Sequence, residues 1–362
     1  MNFFRRKTRH SEYSLLLAAF CVLGLFFLGS VDQFLILFLV NLVALGSVLW
    51  SALSVVRHAD VLAHRFGEPY GSLILSLSVV ILEVSLISIL MLSGNGGAFL
   101  LRDTIVAIII IVLGGLVGIS LLLGGKKYKN QSFNLEGINQ YLIALVPLVG
   151  ILLILPISLP GKTFTPGQQV VVAMVCVMMY SVFLLLQTGS QQRMFIYEDE
   201  DEDEEHHGIE SPFSNLHHTL FLIIHLIAVI GVVKLNSSYL DQLFGELNAP
   251  AALTGLLIAL MTLLPEGIGA TKSILKNQVQ RAMDLYLGSI LATISLTIPV
   301  IILVAFLSGQ PLVFAVDPGI ETILLGVFLL SSISLGYGTT NALSGMSHII
   351  MFIGYLLVIF TS

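Results

Sequence analysis

LSLSVVILEVSLISILML (residues 75–92) and LTGLLIALMTLLPEGIGATK (residues 253–272) are apolar runs of membrane-spanning character, and each carries one acid within it, Glu83 and Glu266. A charged side chain at the bilayer centre costs about 2.5–3.5 kcal/mol on insertion scales. Carrying that cost twice, in matching segments, points to a use. The simplest use is to hold a cation, or protons in its place, halfway across a membrane.

The rest of the chain fits that setting. Of its 362 residues 56% are hydrophobic and only 10% charged, with a mean hydropathy of +0.97. Soluble domains carry about 25% charged residues, so this is an integral membrane protein. With about 20 apolar residues needed per crossing, eleven spans are expected, near 13–29, 33–56, 71–93, 104–124, 138–159, 168–188, 218–235, 250–272, 284–307, 320–336 and 343–360. The runs are continuous rather than alternating, which favours helices over barrel strands. Arg5, Arg6, Lys7 and Arg9 precede the first run, but that run is long, lacks a small-x-small cleavage site and is followed by ten more, so a signal peptide is not expected. Cys21 and Cys176 both lie inside spans and make neither a disulfide framework nor a CxxC site.

Orientation follows from the basic residues. With a cytoplasmic N-terminus and eleven alternating spans, 13 of the 16 lysines and arginines fall on the cytoplasmic side, and only Arg102, Lys162 and Lys234 on the other. The C-terminus is then external.

The two acidic spans also reveal a duplication. Phe-Gly-Glu occurs at 66–68 and again at 244–246, each followed by a proline-containing stretch and then the span. Glu83 and Glu266 stand 183 residues apart, with Leu73 aligned on Leu256 and Leu77 on Leu260. Five spans separate the glutamates, an odd number, so the repeats run in opposite directions, as in many secondary transporters. The expected fold is an all-α polytopic membrane protein. Residues 1–30 form a basic segment and leading helix, 31–190 the first five-helix inverted repeat (spans 2–6), 191–216 a cytoplasmic acidic linker and 217–362 the second repeat (spans 7–11). The linker holds eight consecutive acids, Glu198, Asp199, Glu200, Asp201, Glu202, Asp203, Glu204 and Glu205, then His206 and His207. Solvated linker is the simpler reading; a cation-collecting or regulatory loop is the functional one, though no EF-hand spacing is present.

Around the glutamates, Pro265 removes a backbone donor and frees a carbonyl one turn earlier, which would join Glu266 if the helix unwinds there. Thr262 lies one turn before Glu266. Ser78 and the Val79 carbonyl are the counterparts near Glu83. Span 9 adds a small, polar stripe of Gly288, Ser289, Ala292, Thr293 and Ser295. Packing also accounts for these hydroxyls and for Gly114, Gly115 and Gly118 of span 4. Two carboxylates match one divalent cation or two protons in charge, and a pair sharing a dry pocket resists ionising together. An empty pocket therefore takes protons, and metal entry expels them. Loaded forms are neutral and the empty form is not, which makes exchange obligatory. Glu68, His225 and His348 are candidate proton relays, with Glu68 or Asp103 also a possible third acid near a span end. Asn41 reads as interhelical glue.

GEPYG followed by SLSVVILEV, then LLPEGIGA, NQVQRAMDLYLGS, LATISLTIP and GTTNALSGMSHIIMFIGYLL resemble the ChaA-type, CAX-like branch of the cation/proton exchangers, within the calcium:cation antiporter superfamily. The resemblance covers about 57–360. It implies exchange of cytoplasmic Ca²⁺ for external H⁺ across a bacterial inner membrane, with Na⁺/H⁺ and K⁺/H⁺ exchange in some members, and the essential glutamates of its repeats match Glu83 and Glu266. Many relatives carry Gly-Asn-Ala-x-Glu before each acid; here the residues are Val-Ile-Leu-Glu and Leu-Leu-Pro-Glu, which leaves fewer fixed oxygens for Ca²⁺. Ca²⁺, H⁺, Na⁺ and K⁺ are the expected cargo, and no cofactor is expected. The partners are the lipid bilayer and the transported ions, with oligomeric state open and no nucleic-acid feature. A channel and a Na⁺(K⁺)/H⁺ antiporter without significant Ca²⁺ transport are the alternatives. The one filter-like string, Gly336-Tyr337-Gly338, reads as a turn. HExxH, GxSxG and GxxxxGK[ST] do not occur, so an enzyme is not expected.

Overall fold

The structure, a computed structural model, describes residues 12–66, 70–94, 97–189, 191–195 and 211–361. The described chain is almost entirely helical. Its eleven long helices are α1 (Tyr13–Phe27), α2 (Phe34–Phe66), α3 (Tyr70–Leu92), α4 (Gly97–Tyr128), α5 (Leu135–Ser158), α6 (Pro166–Thr188), α7 (Asn215–Glu246), α8 (Ala252–Leu275), α9 (Val279–Ser308), α10 (Pro318–Leu335) and α11 (Ala342–Thr361). Nine are long and apolar enough to cross a membrane; α1 and the described apolar part of α3, Ser76–Leu92, are shorter.

These helices fall where the apolar runs do, but four of them are longer than the runs by six residues or more. The seventh span, expected over 218–235, is a helix of 32 residues, and the second, expected over 33–56, one of 33. The fourth and ninth are also extended, to Gly97–Tyr128 and Val279–Ser308. Hydropathy marks only the apolar stretch. A helix goes on through polar residues until a cap, Gly or Pro stops it, and the polar ends of α2 and α7 find partners in each other. Ser214 caps α7 by accepting from the His217 N–H. Thr165 and Gln168 form a reciprocal capping box on α6.

The offset that superimposes the two glutamates also brings α2, α3 and α4 close onto α7, α8 and α9, though it carries the start of α6 to 349, past the start of α11 at Ala342. Adding 183 carries 70–92 of α3 onto 253–275, against an observed Ala252–Leu275 for α8. It carries the start of α5 from 135 to 318, the first residue of α10. Two of the three π segments among the described residues match too, while that of α5 over Gly150–Ile154 has no counterpart at 333–337. The α4 backbone widens to π geometry over Ile111–Leu116, and that of α9 over Thr293–Thr297, where the offset gives 294–299. A π-bulge is rare and concentrates at functional sites, so its recurrence in register is stronger evidence of duplication than similarity between two apolar helices.

The chain forms two compact units, each drawing helices from both halves. One comprises residues up to Asn95 with Asp201–Asn248 and contains α1, α2, α3 and α7. Its axis is the long α2–α7 pair, flanked by α1 and α3. Asn41 clamps that pair. Its amide donates to the Leu37 carbonyl at 2.9 Å and to the Tyr239 carbonyl at 3.0 Å, while its own carbonyl accepts from Asn236 at 2.9 Å. This is the interhelical use that a buried amide has in a membrane.

The other unit contains α4, α5, α6 and α8–α11. The ends of α4 and α8 meet: Lys127 Nζ and Tyr128 OH donate to the Leu275 carbonyl, and Gln131 to the Ile274 carbonyl. Terminal carbonyls that α8 cannot satisfy itself are thereby satisfied. Two three-residue strands, β1 (Asn130–Ser132) and β2 (Thr339–Asn341), pair antiparallel beside them. Lys127 and the last turn of α8 thus share one end, as alternating spans require.

Inside this unit, His348 of α11 is fully buried. Its Nδ1–H donates to the Leu113 carbonyl at 2.6 Å, and its Nε2 accepts from the Ser334 hydroxyl at 2.7 Å. Leu113 lies in the α4 π-bulge, where the regular ladder is interrupted. Both ring nitrogens are therefore engaged in holding an irregular backbone. His348→Leu is expected to lower stability by about 1–3 kcal/mol, the cost of an orphaned buried group, with Ser334→Ala costing less. Thermal unfolding in detergent checks both.

Candidate functional site

Glu83 lies near the middle of α3 in the first unit and is only 1% exposed. Ser78 and Val79 are also buried. The Ser78 hydroxyl donates to the Ile74 carbonyl at 2.7 Å, which leaves its oxygen lone pairs for another partner. The Val79 carbonyl differs from expectation. α3 runs unbroken from Tyr70 to Leu92, so the regular ladder engages that carbonyl one turn before Glu83. Glu68 lies outside the described residues.

Glu266 lies on α8 in the second unit and is half-buried. The helix does not unwind at Pro265, as it continues from Ala252 to Leu275. The carbonyl deficit remains, because Pro265 has no N–H to offer the Met261 oxygen. The Thr262 hydroxyl donates back to the Ile258 and Ala259 carbonyls, both at 3.1 Å. A Cβ on Gly267 would come within 2.9 Å of Leu116, so the residue beside Glu266 packs against the end of the α4 π-bulge.

Just beyond, a hydroxyl knot ties three helices together. Ser120 of α4 lies 2.9 Å from the Thr271 hydroxyl and 2.6 Å from the Tyr286 hydroxyl, while Thr271 donates to the Gly267 carbonyl at 2.7 Å. The knot holds α8 at fixed rotation against α4 and α9. In α9, Ser289 is half-buried and Thr293 is buried at the start of the π-bulge. Ser295 and Thr297 of the same bulge are fully buried, and their hydroxyls have no hydrogen-bond partner among the described residues. The unwound backbone expected at Pro265 is thus found one helix over, with oxygens concentrated around it. The sequence signal was the run Thr-Ile-Ser-Leu-Thr before Pro299.

The remaining candidates separate. His348 braces the α4 backbone as described above. Asp103 is held by Arg102, which donates from Nε at 2.8 Å, so its charge is already balanced. His225 lies in the first unit, with Nε2 at 2.8 Å from Glu12 Oε2. Glu12 was not anticipated, since it sits just ahead of the first apolar run. Burial acts to raise its carboxyl pKa, but the His225 hydrogen bond, Arg57 and His58 outweigh that and hold it below the usual carboxylate range. The acids Glu198 to Glu205 lie outside the described residues.

Known proteins share this architecture. The Ca²⁺/H⁺ antiporter protein YfkE superposes with a TM-score of 0.73 at 16% identity, covering 96% of this chain and 100% of the other. The H⁺/Ca²⁺ exchanger CAX does so with a TM-score of 0.66 at 15% identity, covering 96% and 88%. These likenesses concern the fold. In sequence, the chain is 54% identical over 357 residues to the sodium-potassium/proton antiporter ChaA of Escherichia coli (strain K12), covering 98% of each. It is 37% identical over 322 residues to the putative ionic transporter y4hA of Sinorhizobium fredii (strain NBRC 101917 / NGR234), covering 88% of this chain and 87% of that one. The sodium/calcium exchanger protein family matches residues 35–189 and again 217–361. The chain therefore belongs to the sodium/calcium exchanger protein family, cation exchangers of the calcium:cation antiporter superfamily.

Proposed function

We propose that this protein is a secondary antiporter that moves cytoplasmic cations outward in exchange for external protons, by alternating access to one midplane site built from Glu83 and Glu266. The observation that carries the reading is Glu83, a carboxyl 1% exposed in the middle of an apolar helix, with an acid in register 183 residues on. Thr262, Ser289, Thr293 and the Met261 carbonyl are the additional oxygens proposed for it, with Ser78 beside Glu83. The near full-length identity to an antiporter named for sodium, potassium and protons supports Na⁺ and K⁺ as cargo. Ca²⁺ is the second reading, favoured by the charge of two carboxylates and by fold relatives named as Ca²⁺/H⁺ antiporters. The site carries out no covalent chemistry.

The 13-to-3 split of basic residues supports an inner-membrane orientation with the N-terminus cytoplasmic and the C-terminus external. That orientation puts the segment from Glu198 to Glu205 on the cytoplasmic side. The test is a cation panel on purified protein in proteoliposomes with a pH dye inside. Na⁺ and K⁺ are each expected to dissipate an imposed pH gradient, and a Ca²⁺ response of similar size would add the divalent ion to the cargo. No response to any of the three, or currents far beyond carrier turnover, would overturn antiport.

A further inference from the structure

We infer that Glu12, His58 and His225 form a binding site for a borderline divalent transition metal of the zinc class, made of residues other than the exchange glutamates. All three belong to the unit of α1, α2, α3 and α7. They come from three separate elements: the residue capping α1, the polar end of α2 and the first third of α7. Glu12 Oε2 lies 2.8 Å from His225 Nε2, and Glu12 Oε1 lies 3.5 Å from His58 Nε2. One ligand atom from each of the three residues falls within 4.8 Å of the others. A tetrahedral ion with bonds near 2.0–2.1 Å sets its ligands about 3.3 Å apart, so small side-chain shifts close the set around a metal.

The donor chemistry selects the ion. Two imidazoles and one carboxylate form a set that zinc uses in proteins. Ca²⁺ takes six to eight oxygens, and neither it nor Na⁺ or K⁺ gains from imidazole nitrogen. Both histidine side chains are fully buried, while that of Glu12 is 17% exposed, which leaves an approach on the carboxylate side.

The surroundings brace this arrangement. A histidine that binds through Nε2 is braced by an acceptor for its Nδ1–H; His58 has one, whereas His225 Nδ1 has no partner among the described residues. His58 Nδ1 lies 2.8 Å from His218 Nδ1, and His218 Nε2 lies 2.8 Å from the Ser211 hydroxyl. With the proton of His218 on Nε2, donated to Ser211, its Nδ1 accepts from His58, and His58 Nε2 faces Glu12 with its lone pair. One group opposes the metal. Arg57 Nη2 donates to Glu12 at 3.1 and 3.3 Å. Its side chain is 29% exposed, so it can turn to solvent as the ion takes over the carboxylate.

The test uses tag-free, full-length protein stripped with a chelator and titrated with Zn²⁺ by calorimetry. One tight site per chain is expected. Glu12→Gln and His225→Gln are each expected to weaken it tenfold or more. A control replacing His206 and His207 by Ala should keep it, as should Glu83→Gln, so failure here is distinguishable from failure of the exchange site. X-ray absorption on Zn²⁺-loaded wild-type protein should give two imidazoles in a nitrogen and oxygen shell, which needs no variant to fold. Absence of a tight site in wild-type protein, unchanged affinity in both ligand variants, or a shell without imidazole would overturn the proposal. In those outcomes the cluster is a hydrogen-bonded ion pair that docks α1.

Discussion

Glu83→Gln is expected to reduce cation-driven proton flux to the level of protein-free liposomes, and Glu266→Gln to do the same. Glutamine keeps the size and hydrogen-bonding capacity of the side chain but removes the charge and the exchangeable proton. A cation that has left its hydration shell then lacks one of its counter-charges, at a cost of about 3–5 kcal/mol for a broken buried pair. That corresponds to about a hundredfold or more in binding. The loss extends beyond affinity. With one fixed acid, the site is neutral when protonated once and charged with a divalent ion aboard, so the two-proton coupling of Ca²⁺ disappears, while for Na⁺ and K⁺ the loss is that of binding itself. The variants should insert and melt like the parent protein, because replacing a buried carboxyl by an amide relieves desolvation rather than adding to it. Glu83→Asp is expected to keep coupling with a raised KM. Ordinary exchange in both glutamine variants, measured in everted vesicles with an acid lumen, would remove these residues from the site.

The parts that sequence revealed were those governed by transfer free energy. Apolar runs define where helices must lie, and an acid within such a run is visible because nothing nearby excuses it. The apolar runs expected at 71–93 and 250–272 place α3 (Tyr70–Leu92) and α8 (Ala252–Leu275) to within three residues at each end. Features governed by packing were not legible. The polar extensions of α2 and α7 depend on Asn41 meeting Asn236 and on His58 meeting His218, across more than 150 residues of chain. The π-bulges need one extra residue in a turn, which leaves no mark in hydropathy. Glu12 lies in no apolar run and acquires meaning only when Arg57, His58 and His225 surround it. Pro265 misled in a specific way. Proline suggested an unwound helix, but α8 continues through Pro265, and irregular backbone appears at Thr293 instead.

Gly345→Leu is expected to abolish the folded protein, with little inserted material surviving extraction. At Gly345 and Gly125 the α4 and α11 backbones approach with no side chain between them. A Cβ at Gly345 would run into the Leu122 nitrogen and the Gly118 oxygen, and one at Gly125 into the Ala342 nitrogen. Because the obstructing atoms are backbone, no rotamer change relieves the overlap, and the helices must move apart. Overpacking in cores costs about 1–3 kcal/mol when side chains can yield, so a rigid obstacle costs more. Separation also pulls His348 from Leu113, which strips the α4 π-bulge of its bracing, and in a bilayer no water replaces the lost partner. Gly345→Ala is the graded case. It should insert but melt earlier, and exchange should fall in step with folded protein rather than ahead of it. If Gly345→Leu yielded a monodisperse, exchange-competent protein, the close α4–α11 crossing would not be the contact that holds this unit together.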